Sequence, residues 1–335
     1  MRILFYSVAE EFGGGERFLT LLVPALRARG YEAFVVCDSS NAPAALRILS
    51  NSSVTASTDD VVVLNGIGAL YRWGRRLPKS AASIFIQHSL LSDDQSSYLK
   101  RMLRPLLMKF FAANITTVVR VCRAAIPDTF FPNVETIYNG VNYESDLIPL
   151  RRKGETFRLV MLGAINENKN QAEALKLLRE LPQHIHLKVV GDGPLRNELA
   201  MFAYQHNISD RVEWVGFKKD PLTDLRNCHA LLVLSRNEAL PFSALEAMAS
   251  GLPVISTKVG GMPELICNDS NGFLVDPADH GALIDRLLQL DDDEMLRYSM
   301  ALNARETIRR SFTVGMMADK VIGTVLSAIA RSSAK

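Results

Sequence analysis

Four cysteines are scattered over 335 residues, at Cys37, Cys122, Cys228 and Cys267, and none falls in a C-x-x-C pair. That scarcity argues against a disulfide framework and a zinc ribbon, and favours reduced, buried thiols in a cytoplasmic protein. No apolar run reaches 18 residues, so no transmembrane helix is expected. The opening M-R-I-L-F-Y-S-V turns polar too soon for a signal peptide and reads as a first strand. Net charge is only +2, so the chain lacks the basic field that nucleic-acid binding uses, and no such partner is expected. Low-complexity tracts and internal sequence repeats are missing as well.

What is present is short apolar runs rich in Val, Ile and Leu, alternating with helical patterns. The first half reads as strands at 2–8, 31–37, 61–64, 83–87, 116–121 and 134–138, with a helix over 14–29. The second half restarts at 157–162 and continues with strands at 185–190, 211–215, 230–234 and 253–256. Helices are read at 170–180, 195–205, 242–249, 278–290, 293–310 and 314–329. Such alternation implies right-handed βαβ units and parallel sheets, hence an α/β fold. The polar stretch Y-E-S-D-L-I-P-L-R-R-K-G-E-T after Asn142 reads as a linker between two domains, which the length also favours.

The densest pattern runs from Arg236 to Gly261. Glu238 and Glu246 stand eight residues apart, with Leu240, Pro241, Phe242 and Ser243 between them. Glu238 follows a buried strand and Glu246 lies inside the next helix, whose start fits Pro241. Ligands of open α/β sheets bind at the carboxyl ends of strands. One carboxylate there and one on the helix can hold two parts of a polyol, and the free amides near Phe242 and Ser243 suit a diphosphate. A vicinal diol can give two hydrogen bonds to one such carboxylate.

With Ala247-Met248-Ala249, Gly251, Pro253-Val254, Gly260-Gly261 and Glu264, this stretch resembles the signature of retaining glycosyltransferases of family 4, with its Glu-x7-Glu core. The resemblance implies the GT-B fold: two Rossmann-like domains with parallel sheets facing across a cleft. It implies an acceptor-binding domain over 1–145, a nucleotide-sugar-binding domain over 156–312, and a C-terminal helix within 313–335 that crosses back to the first domain. The implied reaction moves a sugar (hexosyl or related) from a nucleotide-sugar to an acceptor, a lipid-linked or cell-surface polysaccharide precursor. No D-x-D sits at a strand end, so no obligatory metal and no other cofactor is expected.

Further residues are placed by the same resemblance. Lys169 matches the Lys that neutralises charge on the departing diphosphate, while the Arg of the family's Gly-Arg-Leu pattern is replaced here by Ala164. Gly191 and Gly193, in G-D-G-P, and Phe217 are expected to border the nucleotide base. The turn Gly13-Gly14-Gly15 lies beneath the donor diphosphate and near the acceptor, and His88 faces the donor sugar. Without the resemblance, the glycines read as turn residues, Lys169 as an exposed helix-start lysine and His88 as a structural histidine. Asn139-Gly140-Val141-Asn142 marks the fold rather than the chemistry.

Residues 72–123 hold ten Lys or Arg against Asp93 and Asp94, a local balance of +8. Within them, Y-L-K-R-M-L-R-P-L-L-M-K-F-F reads either as a segment lying on an anionic membrane through 98–111, on the inner face, or as an ordinary amphipathic helix, kinked at Pro105. Two other functions stay open: a sugar-nucleotide epimerase of the same fold, and a non-catalytic sugar-nucleotide-binding subunit, which Ala164 favours.

Overall fold

The structure, a computed structural model, describes residues 2–37, 42–50, 56–57, 59–78, 81–91, 98–143, 156–218 and 221–333, with the backbone alone at 98–101. The linker stretch beyond Tyr143, Lys79, Asp93 and Asp94, and the Lys100 and Arg101 side chains, lie outside the described residues. The chain divides into two compact units: Met1–Gly140 with Phe312–Lys335, and Val141–Ser311.

The first unit runs β1 (Arg2–Ser7), α1 (Gly14–Arg27), β2 (Glu32–Cys37), α2 (Ala44–Leu49), β3 (Val61–Asn65), α3 (Gly66–Trp73), β4 (Ser83–Gln87), α4 (Tyr98–Phe111), β5 (Thr117–Arg120) and β6 (Val134–Thr136). All six strands are parallel, in the order β2-β1-β3-β4-β5-β6. β3 and β4 are buried along their whole length, which is why they read as unbroken apolar runs. At the start of helix α1 the Gly13 amide donates to Glu16 Oε2 at 3.1 Å, the half of a capping box that a glycine can make. It buries Phe18, Leu19, Leu22, Val23 and Leu26.

The second unit runs β7 (Phe157–Leu162), α5 (Gln171–Glu180), β8 (Ile185–Val190), α6 (Arg196–Gln205), β9 (Val212–Gly216), α7 (Leu222–Leu225), β10 (Ala230–Val233), α8 (Phe242–Ala249), β11 (Val254–Thr257), α9 (Met262–Leu265), β12 (Gly272–Val275), α10 (His280–Asp292) and α11 (Glu294–Ser311). Its sheet is again six-stranded and parallel, ordered β12-β11-β10-β7-β8-β9. Phe157, Leu187, Val189, Leu232 and Phe273 anchor one continuous core with Leu175 and Leu178 of α5 and Leu283 and Leu287 of α10.

The chain then returns to the first unit as α12 (Val314–Ser333). Its buried stripe, Met317, Ala318, Val321, Val325 and Ala328, has the spacing of one helical face. Thr324 Oγ1 donates to Glu135 Oε2 at 2.5 Å, and Arg331 Nη1 to Thr117 Oγ1 at 2.8 Å. Where the chain leaves and re-enters this unit its two passages touch: a Cβ on Gly140 would lie 2.4 Å from the Thr313 carbonyl oxygen.

Most expected elements appear with ends shifted by one to three residues. Six were not expected as such or only as one of two readings: α2, α3, α4, α7, α9 and β12. The 98–111 segment is a helix that runs on through Pro105.

Candidate functional site

In each sheet the strand order reverses once, between β7 and β10 in the second unit and between β1 and β3 in the first. At such a point two loops leave the sheet in opposite directions and open a crevice at the carboxyl ends of the strands.

In the second unit the loop after β7 and the loop after β10 are joined across this point. The Arg236 amide donates to the Asn168 carbonyl at 2.8 Å, Asn168 Nδ2 to the Asn237 carbonyl at 3.0 Å, and Asn170 Nδ2 to the Leu234 carbonyl at 3.3 Å. Asn170 adopts a left-handed backbone, φ 57°, uncommon outside glycine. The joined loops bring Lys169 Nζ onto Glu238 Oε1, which also accepts from Ser235 Oγ at 2.7 Å. Ser235 is itself held by Thr257 Oγ1, which donates to its carbonyl at 2.7 Å. The Lys169 and Glu238 side chains are 23% and 11% exposed, so a ligand can reach the pair. The Gly261 amide donates to the Glu238 carbonyl at 3.2 Å, which ties the Gly260-Gly261 turn to the same loop.

Helix α8 starts beside this pair. Its first bonds run from the Ala244 and Leu245 amides to the Pro241 carbonyl, at 3.2 and 3.3 Å. The Phe242 and Ser243 amides precede them and take no part in those bonds, as expected of a helix start. The Leu240 and Phe242 side chains are buried, so only their backbone is available to a ligand. Glu246 lies on α8 and is 8% exposed. Ala164 is exposed, and its carbonyl accepts from Gln171 Nε2 at 3.0 Å. Phe217, just past β9, is 70% exposed.

Gly191 and Gly193 have a structural reason of their own. Gly191 has φ +150°, and a Cβ there would meet the Gly163 carbonyl oxygen at 1.9 Å; one on Gly193 would meet that of Ile165 at 2.4 Å. These glycines let the turn after β8 close on the loop that carries Lys169, through Gly163 N to Val190 O and Ile165 N to Asp192 O.

The reversal point of the first unit brings together the uncharged Asn65, His88 and Gly15, with the Glu16 carboxylate beside them on Ser7. Asn65, the last residue of β3, donates from Nδ2 to the Gly15 carbonyl at 3.2 Å, and its Oδ1 lies 2.7 Å from His88 Nε2. With the amide nitrogen engaged by Gly15, the oxygen faces His88, so Nε2 carries the imidazole proton and Nδ1 is left as an acceptor. Nδ1 is sealed from solvent and has no hydrogen-bond partner. His88 is half-buried as a residue, and desolvation lowers its pKa to about 4. The Phe18 ring stands edge-on to it at 5.1 Å. A Cβ on Gly15 would press on both Asn65 and His88 at 3.3 Å, whereas one on Gly14 meets nothing within 4 Å. Glu16 accepts from Ser7 Oγ at 3.5 Å, and burial raises its pKa.

The residues singled out from sequence therefore fall at the two reversal points and around them. Asn65, Asn168, Asn170 and Ser235 were missed. A faint signal existed, since Asn65 and Ser235 are polar residues closing apolar strand runs. Among the described residues no cluster of three or more His, Cys, Asp or Glu could hold a metal ion, and no helix is long and apolar enough to cross a membrane.

Comparison with known proteins bears on both units. Residues 144–307, most of the second unit, match the family model described as "Glycosyl transferases group 1". N-acetyl-alpha-D-glucosaminyl L-malate synthase of Bacillus anthracis is 28% identical over 62% of this chain and 58% of its own. The Escherichia coli UDP-Gal:alpha-D-GlcNAc-diphosphoundecaprenol alpha-1,3-galactosyltransferase is 30% identical over 56% of this chain and 52% of its own. The chain thus spans about half the length of the curated relatives it matches. HepE of Anabaena, solved in complex with UDP, is 20% identical but superposes with a TM-score of 0.82 over 98% of this chain and 100% of its own. Two six-stranded parallel sheets with flanking helices are the GT-B architecture, and within it residues 144–307 match the group 1 glycosyl transferases.

Proposed function

We propose that the chain is a retaining glycosyltransferase that moves a sugar from a nucleotide-sugar to a lipid-linked saccharide precursor. The observation that carries this reading is the Lys169–Glu238 pair at the reversal point of the second sheet, beside the free start of α8. The α8 amides and Lys169 suit the two phosphates, Glu246 the ribose diol, and Glu238 the hydroxyls of the sugar. As the bond from the anomeric carbon to the diphosphate lengthens, negative charge grows on the leaving oxygen, and a cation already in place stabilises it without reorganisation. In this reading Lys169 is held ready by Glu238 and turns to the diphosphate when the donor arrives.

A uridine diphosphate sugar is the donor to test first: HepE holds UDP and the E. coli relative is named for UDP-Gal. In the first unit, the open space above Gly14 and the polar Asn65–His88 cluster suit a hydroxylated acceptor.

The test is incubation of the pure protein with a panel of UDP-, GDP-, ADP- and dTDP-sugars, followed by nuclear magnetic resonance. The expected result is slow release of the nucleoside diphosphate and an α-configured free sugar from one α-linked donor. Donor binding without turnover would make the chain a binding subunit, the reading that Ala164 favours. Conversion of one intact sugar-nucleotide into its epimer would make it an epimerase.

A further inference from the structure

Helix α4 is apolar on the side facing away from the core. Met108 is fully buried, and Phe111 and Ala112 just beyond it pack with it against the core of the first unit. Met102, Leu103, Leu106, Leu107 and Phe110 lie between 39% and 65% exposed. At 100° per residue these five fall in an arc of about 140°, roughly opposite Met108. A single exposed leucine is ordinary, but five large apolar side chains on one 14-residue helix form a contiguous patch.

The rim of this patch is cationic. The Arg75 guanidinium lies 4.7 Å from the centre of the Phe110 ring, and Lys109 Nζ lies 4.7 Å from that of Phe130. Arg72 and Arg76, also exposed, stand on and just after α3, which packs beside α4. Between Asp60 and Asp128 the sequence has no carboxylate except Asp93 and Asp94.

The geometry points to an anionic lipid surface as the partner of this face. An amphipathic helix of this composition lies in the interface with its apolar side sunk roughly 5–10 Å, while surrounding cations meet lipid phosphates. Charge chooses between occupants. A second copy of the chain would bring Arg75, Arg76 and Lys109 against their own counterparts, whereas an anionic bilayer complements all of them. On its inner side α4 is tied to the reversal point of the same unit: Arg104 Nη2 donates to Ser89 Oγ at 3.0 Å, and Ser89 follows His88. A lipid-linked acceptor entering along α4 therefore has its saccharide end delivered beside Asn65 and His88. The docking stands on α4 alone; the delivery rests on the transferase reading.

Vesicle co-sedimentation of the full chain tests it, with phosphatidylcholine alone and mixed with phosphatidylglycerol. The expected result is binding that rises with the anionic fraction and falls with salt. The double variant Leu106→Glu, Phe110→Glu is expected to bind at least about tenfold more weakly, with an unchanged thermal midpoint. If it does not fold, Arg75→Glu with Lys109→Glu carries the same test. Equal pelleting with neutral and anionic vesicles, no binding at low salt, or a folded double variant that binds like the wild type overturns the proposal. So does a wild-type dimer that the double variant abolishes while vesicles pellet neither protein; the patch would then be a self-association face. Donor binding by calorimetry, expected unchanged in every variant, keeps this outcome separate from the transferase reading.

Discussion

In the second unit the reversal point of the sheet carries a cation bonded to an anion, Lys169 on Glu238, with a third ionisable group, Glu246, on the next helix. In the first unit the same topological position carries Gly15, Asn65 and His88, an uncharged cluster whose imidazole is held neutral by desolvation. The two sheets share strand count, direction and the place where order reverses, so topology supplies a location and side chains decide what it does. Ionised groups that meet an anionic ligand stay paired and within reach of solvent until it arrives, because an unpaired buried charge costs several kcal/mol. A neutral cluster carries no such penalty and can pack closely.

The contrast can be broken at its strongest point first. Lys169→Ala is expected to lower kcat by on the order of 10²–10³, about 3–4 kcal/mol, as for other groups placed against developing charge. Steady-state turnover measures it, and a variant within threefold of wild type would show that the charged site is not electrostatic machinery. Glu246→Ala should weaken free UDP by about 1.5–3 kcal/mol in calorimetry. Glu238→Gln should cut turnover more than it cuts that affinity, because its contact is assigned to the transferred sugar. Equal losses in both measurements would merge two roles that are kept apart here.

The neutral site is sharpened by pH. The His88 imidazole has its folded pKa at about 4, below the usual 6.5, so on acidification the unfolded chain takes up this proton first. Its stability contribution is complete above about pH 6.5 and is lost as pH falls towards 4. The group is partly exposed, so about 1–2 kcal/mol is expected rather than the full value of the shift. Urea unfolding at pH 7 and pH 4.5, followed by Trp73 in a Trp214→Phe background, should show this loss in the parent and not in His88→Gln. Identical pH dependence in both would mean the imidazole is not desolvated. The smallest effect separates two adjacent glycines: Gly15→Ala should be about 1 kcal/mol less stable than Gly14→Ala, since only the former crowds Asn65 and His88.

Parallel strands were the most legible elements: β4 is buried along its whole length, and β7 and β8 keep a dominant apolar pattern around Arg158, His186 and Lys188, so all three were read to the residue, as was α8. β12 was not, since it is only G-F-L-V and opens on a glycine that packs against the Val254 backbone. α3 opens on Gly66-Ile67-Gly68, a poor helix start by propensity that tertiary packing overrides. In the site, the spacing of Glu238 and Glu246 and the position of Lys169 were visible, but the bond between Lys169 and Glu238 was not. They are 69 positions apart, and only the pairing of β7 with β10 makes them neighbours. The role of Asn65 was equally faint, because its partners Gly15 and His88 come from the start of α1 and the end of β4.

The contact of Gly140 with Thr313 bears on how the chain reaches this structure. The second unit is one unbroken segment, while the first is assembled from two, separated by everything between Val141 and Ser311. During synthesis the second unit can complete itself before α12 exists, whereas the first cannot. Until α12 docks, Thr324 and Arg331 are not there to hold Glu135, and the surface of α1 that it covers stays wet. Joining the two halves requires closing a long loop, a penalty that grows only logarithmically with its length and shrinks further once the inserted segment has already folded. The connectivity thus sets an order of synthesis: the interrupted unit cannot be completed until α12 has been made.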